Sequence, residues 1–184
     1  MSQKNSALYI LRLALTLLAI TAAVAAALAG VNAITAPRIA QANTLKTQQA
    51  IEAVLPGGGE ALDAFPDETG LVSHVYASDT GYAVEVTPTG FDNTITMMVG
   101  VDKAGKVLGI DIISHTETAG LGAVSAAKTT AGEAFRGQFA GCSGEVSVAK
   151  DGGSIDAITG ATITSRAICT GVNAALACVA GLNG

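Results

Sequence analysis

Residues 94–113 read TITMMVGVDKAGKVLGIDII, and this stretch decides the fold class. Two runs rich in Val, Ile, Thr and Met, Thr94 to Val101 and Lys106 to Ile113, flank the polar segment Asp102-Lys103-Ala104-Gly105. Runs of this length with a Gly-containing break predict two strands joined as a hairpin. A second pair lies upstream: Leu71 to Ala77 and Tyr82 to Thr87, joined across Ser78-Asp79-Thr80-Gly81. Strand, turn and strand repeated in this way predict an antiparallel meander. Downstream, Val124 to Phe139 reads as a helix with Val124, Ala127, Ala131, Phe135 and Phe139 as its buried face. Glu145 to Val148 reads as a short strand. Arg166 to Leu182, rich in Ala, Ile and Val, reads as a second helix. The expected fold class is α+β: one antiparallel sheet packed with helices.

Working outward toward the N-terminus, Arg38 to Leu55 carries a partial apolar stripe at Ile39, Leu45, Ala50, Ile51 and Leu55, and Pro56-Gly57-Gly58-Gly59 ends that helix. Before it, Leu13 to Ile34 (LALTLLAITAAVAAALAGVNAI) contains no charged residue. As a helix this run spans about 33 Å, enough for a hydrocarbon core of about 30 Å. Thr16, Thr21 and Asn32 are its clearly polar members, and a threonine can return its hydroxyl to the helix backbone. Pro37 is expected to stop the helix on the far side, and Tyr9 stands near the other end, where interfacial aromatics are favoured. A cleaved signal peptide is the rival reading, because Ala27-Leu28-Ala29 resembles a cleavage site. The run exceeds the usual ~7–15 apolar residues of such a peptide, which favours a retained single-pass anchor. Lys4 and Arg12 before the span balance Arg38 and Lys46 after it, so charge does not fix orientation. If the segment directs export, the rest of the chain is extracytoplasmic. The expected division is a membrane anchor over residues 1–36 and a folded domain over residues 37–184.

Composition narrows the function classes. Apolar residues make up 49% of the 184 and mean hydropathy is +0.47, which directs attention to a membrane segment. Net charge is -5. An acidic chain without a basic run argues against nucleic acid, whose binding rests on Lys and Arg at phosphates. Trp is absent and aromatics are few, so an aromatic cofactor cage is not expected. Cys142, Cys169 and Cys178 form no CxxC, and His74 and His115 do not space with them as metal ligands. The cysteines are expected as small buried apolar residues. Cys169 and Cys178 would lie about 13 Å apart along one helix, too far to bridge, while a bridge from Cys142 to one of them stays open.

Two stretches can carry chemistry. Asp156-Ala-Ile-Thr159-Gly160-Ala161-Thr162-Ile-Thr164-Ser165 is a small-residue turn leading into the C-terminal helix, with Thr164 or Ser165 as a natural N-cap. A helix N-terminus presents unpaired N–H groups and partial positive charge, which suit a phosphate. Capping alone would also account for its four hydroxyls. His115-Thr116-Glu117-Thr118-Ala119-Gly120-Leu121-Gly122 leaves a strand and precedes a helix. Its glycines permit close backbone approach and Leu121 offers an apolar face to a flat ligand. A plain connector would look much the same, and no GxGxxG fingerprint occurs.

The sequence DAITGAT, Asp156 to Thr162, resembles the flavinylation motif of the FMN-binding domain family, Asp, two variable residues, Ser or Thr, Gly, Ala, Thr. SHTETAGLG, Ser114 to Gly122, resembles that family's HxETPGLG loop. Order and separation are similar. An N-terminal span precedes such a domain in the G subunits of Rnf complexes and in the C subunits of sodium-pumping NADH:quinone oxidoreductases. The chain's short length favours the former. Ala119 stands where the family usually has Pro, and Asn93 where relatives often have the second Gly of a GxxGxI turn.

The resemblance implies FMN held covalently by a phosphoester to Thr162, placed there by a flavin transferase that uses FAD. It implies a motif acid at Asp156, an open approach at Gly160 and Ala161, and a hydroxyl at Thr159 able to bond a phosphate oxygen. Glu117, Thr118, Gly120, Leu121 and Gly122 are expected around the flavin ring. No catalytic base and no metal site are expected, since flavin does the redox chemistry. The implied role is an electron-carrying subunit of an ion-translocating ferredoxin:NAD oxidoreductase in the plasma (inner) membrane. Its partners would be the other membrane and redox subunits, with small residues from Ala22 to Gly30 allowing close helix contact. A membrane-tethered flavin sensor or a stand-alone extracytoplasmic flavoprotein is the alternative.

Overall fold

The computed structural model describes the backbone of residues 2–183 and the side chains of residues 9–183; the side chain of Lys4, used in the charge comparison, lies outside the described residues. The chain divides into two compact units, Met1–Leu45 and Lys46–Gly184. Helix α1 runs over Ser2–Val54 without interruption and contains Pro37. The expected stop at Pro37 is therefore corrected. A proline inside a helix removes one hydrogen bond, here the one to Ala33, at a cost of about 3 kcal/mol. Long helix-forming stretches on both sides outweigh that local loss. The threonines behave as expected: Thr16 donates to the Leu13 carbonyl and Thr21 to those of Leu17 and Leu18. Every described side chain from Tyr9 to Lys46 is exposed.

The second unit is built on a five-stranded antiparallel sheet in the order β1-β2-β3-β4-β5. Its strands are β1 (Glu60–Ala61), β2 (Val72–Ala77), β3 (Gly81–Val86), β4 (Thr96–Asp102) and β5 (Val107–Ser114). The four long strands fall on the four expected runs. β1 has two residues, too few to carry a periodic signal. Pairing places Val75, Val84, Val99 and Ile110 side by side on one face. These join a core with Ile168, Val172, Ala175 and Val179 of helix α3 (Thr162–Asn183) and with Phe135 and Phe139. The opposite face presents Ala83 and Met98 to Ala50, Ile51, Val54 and Leu55 at the end of α1. Gly100 makes that second contact possible, since a Cβ there would stand 2.3 Å from the Val54 carbonyl oxygen. The α+β expectation holds, with the sheet covered by helices on both faces.

The single helix expected over Val124 to Phe139 is two pieces: a 3-10 turn, Gly122–Ala126, and helix α2, Thr130–Gly137. Thr129 breaks the run. Its backbone is extended and its hydroxyl accepts the Gly132 N–H at 3.3 Å, capping α2. Arg136 then ties the break, donating to the carbonyls of Ser125 and Ala127 at 2.6 and 3.1 Å. Nor is Glu145–Val148 a strand. Val148 makes one isolated parallel bridge to Ile155, and a 3-10 turn follows at Ala149–Asp151. All three cysteines are free thiols, with Cys169 and Cys178 buried.

Candidate functional site

Three segments far apart in sequence converge where α3 begins. Helix α3 starts at Thr162, so Thr164 and Ser165 lie inside its first turn rather than at the expected N-cap. Ser165 instead staples the turn that feeds the helix: its hydroxyl donates to the Ala161 carbonyl at 2.9 Å and accepts the Ile158 N–H at 3.0 Å. Gly160 sits at φ +77°, a left-handed conformation natural to glycine. The first N–H groups of an α-helix have no acceptor within it. Among the described hydrogen bonds, none takes up the N–H of Thr162, Ile163 or Thr164. The helix therefore opens with free donors directed outward at Thr162.

The second segment is the loop leaving β5. Its centre is Glu117, 6% exposed. One carboxyl oxygen accepts the N–H groups of Phe91 and Asp92 at 2.8 and 3.2 Å, and the other accepts the Thr164 hydroxyl at 2.5 Å. The third segment is the connection between β3 and β4, closed by Gly90 N–H to Asn93 and Ile95 N–H to Pro88. It brings Phe91 to the site. Glycines make room around the carboxyl group: a Cβ at Gly90 would lie 2.3 Å from Glu117 Oε1, and one at Gly122 would lie 2.5 Å from Oε2.

Between these segments lies a cleft of about 310 Å³. Of the ten residues expected at the site, it gathers seven: Glu117, Thr118, Leu121, Gly122, Gly160, Ala161 and Thr162. Gly120 lies in the same loop, at φ +76°, but does not line the cleft. Thr159 is exposed outside it. Asp156 is also exposed, and its backbone rather than its carboxyl group is engaged, exchanging hydrogen bonds with the Gln138 amide at 2.7 and 3.2 Å. Four lining residues were not anticipated: Phe91, Lys150, Ile163 and Thr164. The GFDNTI turn was a usable signal for Phe91, and the hydroxyl cluster one for Thr164. Nothing local marks Lys150 or Ile163.

The chemistry of the lining is divided. Phe91, Leu121 and Ile163 are exposed by 64%, 42% and 51%, and among the described residues of the second unit Leu108 is the one other large apolar side chain so exposed. Apolar side chains gathered at one opening mark a binding surface. Beside them stand the free N–H groups of α3 and the Lys150 ammonium. The neighbouring Asp151 is taken up by Arg166 through two 2.6 Å hydrogen bonds, which hold its carboxyl group below the usual range. Lys150 forms no ion pair among the described residues. This set fits a ligand with a flat apolar body and one phosphate. Among the described residues no His, Cys, Asp and Glu cluster could hold a metal ion.

Comparison with known proteins agrees with this chemistry. The FMN-binding domain family model matches residues 90–177, from the Phe91 turn into α3. The G subunit of the Na(+)-translocating ferredoxin:NAD(+) oxidoreductase complex of Acetobacterium woodii is 33% identical over 190 aligned positions, covering 89% of this chain and 88% of that protein. The G subunit of the proton-translocating ferredoxin:NAD(+) oxidoreductase complex of Clostridium ljungdahlii is 40% identical over 110 positions, 55% of this chain and 57% of that one. For the G subunit of the ion-translocating oxidoreductase complex of Pseudomonas aeruginosa the values are 38%, 48% and 43%. The chain thus spans under half the length of the Pseudomonas relative it matches.

Proposed function

This chain belongs to the G-subunit family of ion-translocating oxidoreductase complexes, and from that premise we propose that it carries electrons on an FMN bound covalently to Thr162. The observation that carries the reading is the joining of three exposed apolar side chains and a free helix N-terminus in one cleft. Flavin supplies the redox chemistry when bound. Phe91, Leu121 and Ile163 give the ring an apolar seat and keep water from it. The N–H groups at the start of α3 and the Lys150 ammonium receive the phosphate. Gly160 leaves room for Leu121 at the cleft, since a Cβ there would meet Leu121 Cδ2 at 2.9 Å.

Attachment balances as a phosphoryl transfer. The Thr162 hydroxyl oxygen bonds to the FMN-side phosphorus of FAD, the bond to AMP breaks, and the hydroxyl proton passes to a base of the flavin transferase. Thr162 is half-buried at the cleft edge, reachable before the ring settles. Asp156, exposed and outside the cleft, is a recognition residue for the transferase. Electrons pass through this chain between other subunits of the complex, while the long apolar α1 holds it in the plasma membrane as a single-pass protein with its folded domain outside the cytoplasm. The test is co-expression with a flavin transferase, followed by in-gel flavin fluorescence after denaturation. Wild type fluoresces and Thr162→Ala does not. A fluorescent Ala variant overturns the attachment site, and a dark wild type overturns the covalent link.

A further inference from the structure

Glu117 stands in the cleft wall, yet its carboxyl group is spent on the protein. Its acceptors are turned to Phe91 N–H, Asp92 N–H and the Thr164 hydroxyl. Those partners lie 25 to 47 residues away in sequence and belong to two other segments, the Phe91 turn and the first turn of α3. The Phe91 turn closes on itself through Gly90 and Asn93. Among the described hydrogen bonds, those from the Phe91 and Asp92 N–H groups to Glu117 are the ones that fasten its tip to the loop leaving β5. With Phe91 64% exposed, side-chain packing does little of that work. Gly90 and Gly122 leave room for the carboxyl group, since a Cβ at either would stand 2.3 and 2.5 Å from its two oxygens.

We infer that Glu117 is a positioning residue: it bridges the Phe91 turn to the first turn of α3 and so sets the width of the cleft. The inference rests on the flavin reading for what the cleft receives, but the bridge itself is a property of the chain alone. A glutamine keeps a carbonyl oxygen for the two backbone N–H groups and can donate to the Thr164 hydroxyl, so it preserves the bridge. An alanine removes both ends, and Thr164→Val removes one.

The test uses the full chain in detergent, before and after loading with FMN by the transferase. Amide exchange at Phe91 and Asp92 is read by mass spectrometry, and visible circular dichroism reports the ring's surroundings. Glu117→Ala speeds exchange of those two amides at least tenfold and collapses the visible signal, while Glu117→Gln stays within about threefold of wild type in both. Thr164→Val leaves the two amides protected but weakens the visible signal. Exchange at Phe91 and Asp92 unchanged in the Ala variant overturns the bridge. Uniformly faster exchange across the sheet in both the Ala and Gln variants also overturns it, since that marks a general loss of stability. If Glu117→Ala does not fold, full protection and an unaltered visible signal in Thr164→Val with Glu117→Gln disturbed would overturn it. The apo measurement needs no flavin, so a chain that never loads sinks the flavin reading alone.

Discussion

At the scale of single residues, the site depends on atoms that are not there. Gly122 has no room for a methyl group: its Cβ would meet Glu117 Oε2 at 2.5 Å and the Thr164 hydroxyl at 2.6 Å. Neither neighbour is the free end of a flexible chain, because each is held by the other. Gly122→Ala should therefore destabilise the folded unit by about 1–3 kcal/mol, the usual range for overpacking, and lower flavin loading. Urea unfolding and in-gel fluorescence check both, and an unaltered midpoint would show that the loop relaxes freely. The cysteines give a second prediction. Burial pushes the thiols of Cys169 and Cys178 up to about 11, so both stay protonated at neutral pH, and the thiolate is the reactive form. Cys142 is half-buried. A thiol reagent should label one cysteine readily in the native protein and all three in urea. Fast native labelling of three would contradict the packing of α3.

At the scale of elements, the loop before β2 is held by one carboxyl group. Asp67 accepts from the Thr69 hydroxyl at 2.8 Å and from the N–H groups of Thr69, Gly70 and Val72. Partial desolvation pushes its pKa up, but these bonds together hold it below 3.8. A lowered folded-state pKa means stability that is present above the unfolded value and lost as pH falls through the folded one. The stability gap between wild type and Asp67→Asn should hold from pH 7 to pH 5 and shrink below about pH 4. Urea midpoints across that range measure it, and a gap that widens in acid would refute the assignment. The same elements show what sequence can report. The four long strands were legible because short runs rich in Val, Ile, Thr and Met and Gly-bearing turns are local signals. The convergence of Glu117 with Thr162 was legible only through two motifs whose resemblance pointed to one ligand. Pro37 misled because its effect is local while helix propagation on both sides is not. The break at Thr129 was hidden by an apolar stripe that continues through it, and Lys150 reaches the cleft through a 3-10 turn that carries no periodic signal.

At the scale of the whole molecule, α1 has no soluble explanation within the chain itself. From Tyr9 to Leu45 its large apolar side chains are exposed around the full circumference, with Leu28 at 66% and Ile34 at 68%. A helix apolar all round is buried in a large core or in a bilayer, and this one is long and apolar enough to cross a membrane. Among the described residues, the other helix of sufficient length and hydropathy, α3, is two-thirds buried in its own unit and needs no lipid. Burial, not hydropathy, separates the two. The full chain should therefore stay in the membrane fraction after an alkaline carbonate wash and leave it only with detergent. An intact mass taken from that fraction decides between anchor and signal peptide. A retained anchor gives the mass of a chain that still includes Leu13 to Ile34, whereas cleavage after Ala29 gives a chain beginning at Gly30, which would release into the wash. A C-terminal alkaline phosphatase fusion then reads the side of the membrane, since the enzyme is active only after export. Activity places the folded unit outside the cytoplasm. An inactive fusion on a membrane-retained chain would put the unit inside, and the flavin cleft would then face cytoplasmic electron donors directly.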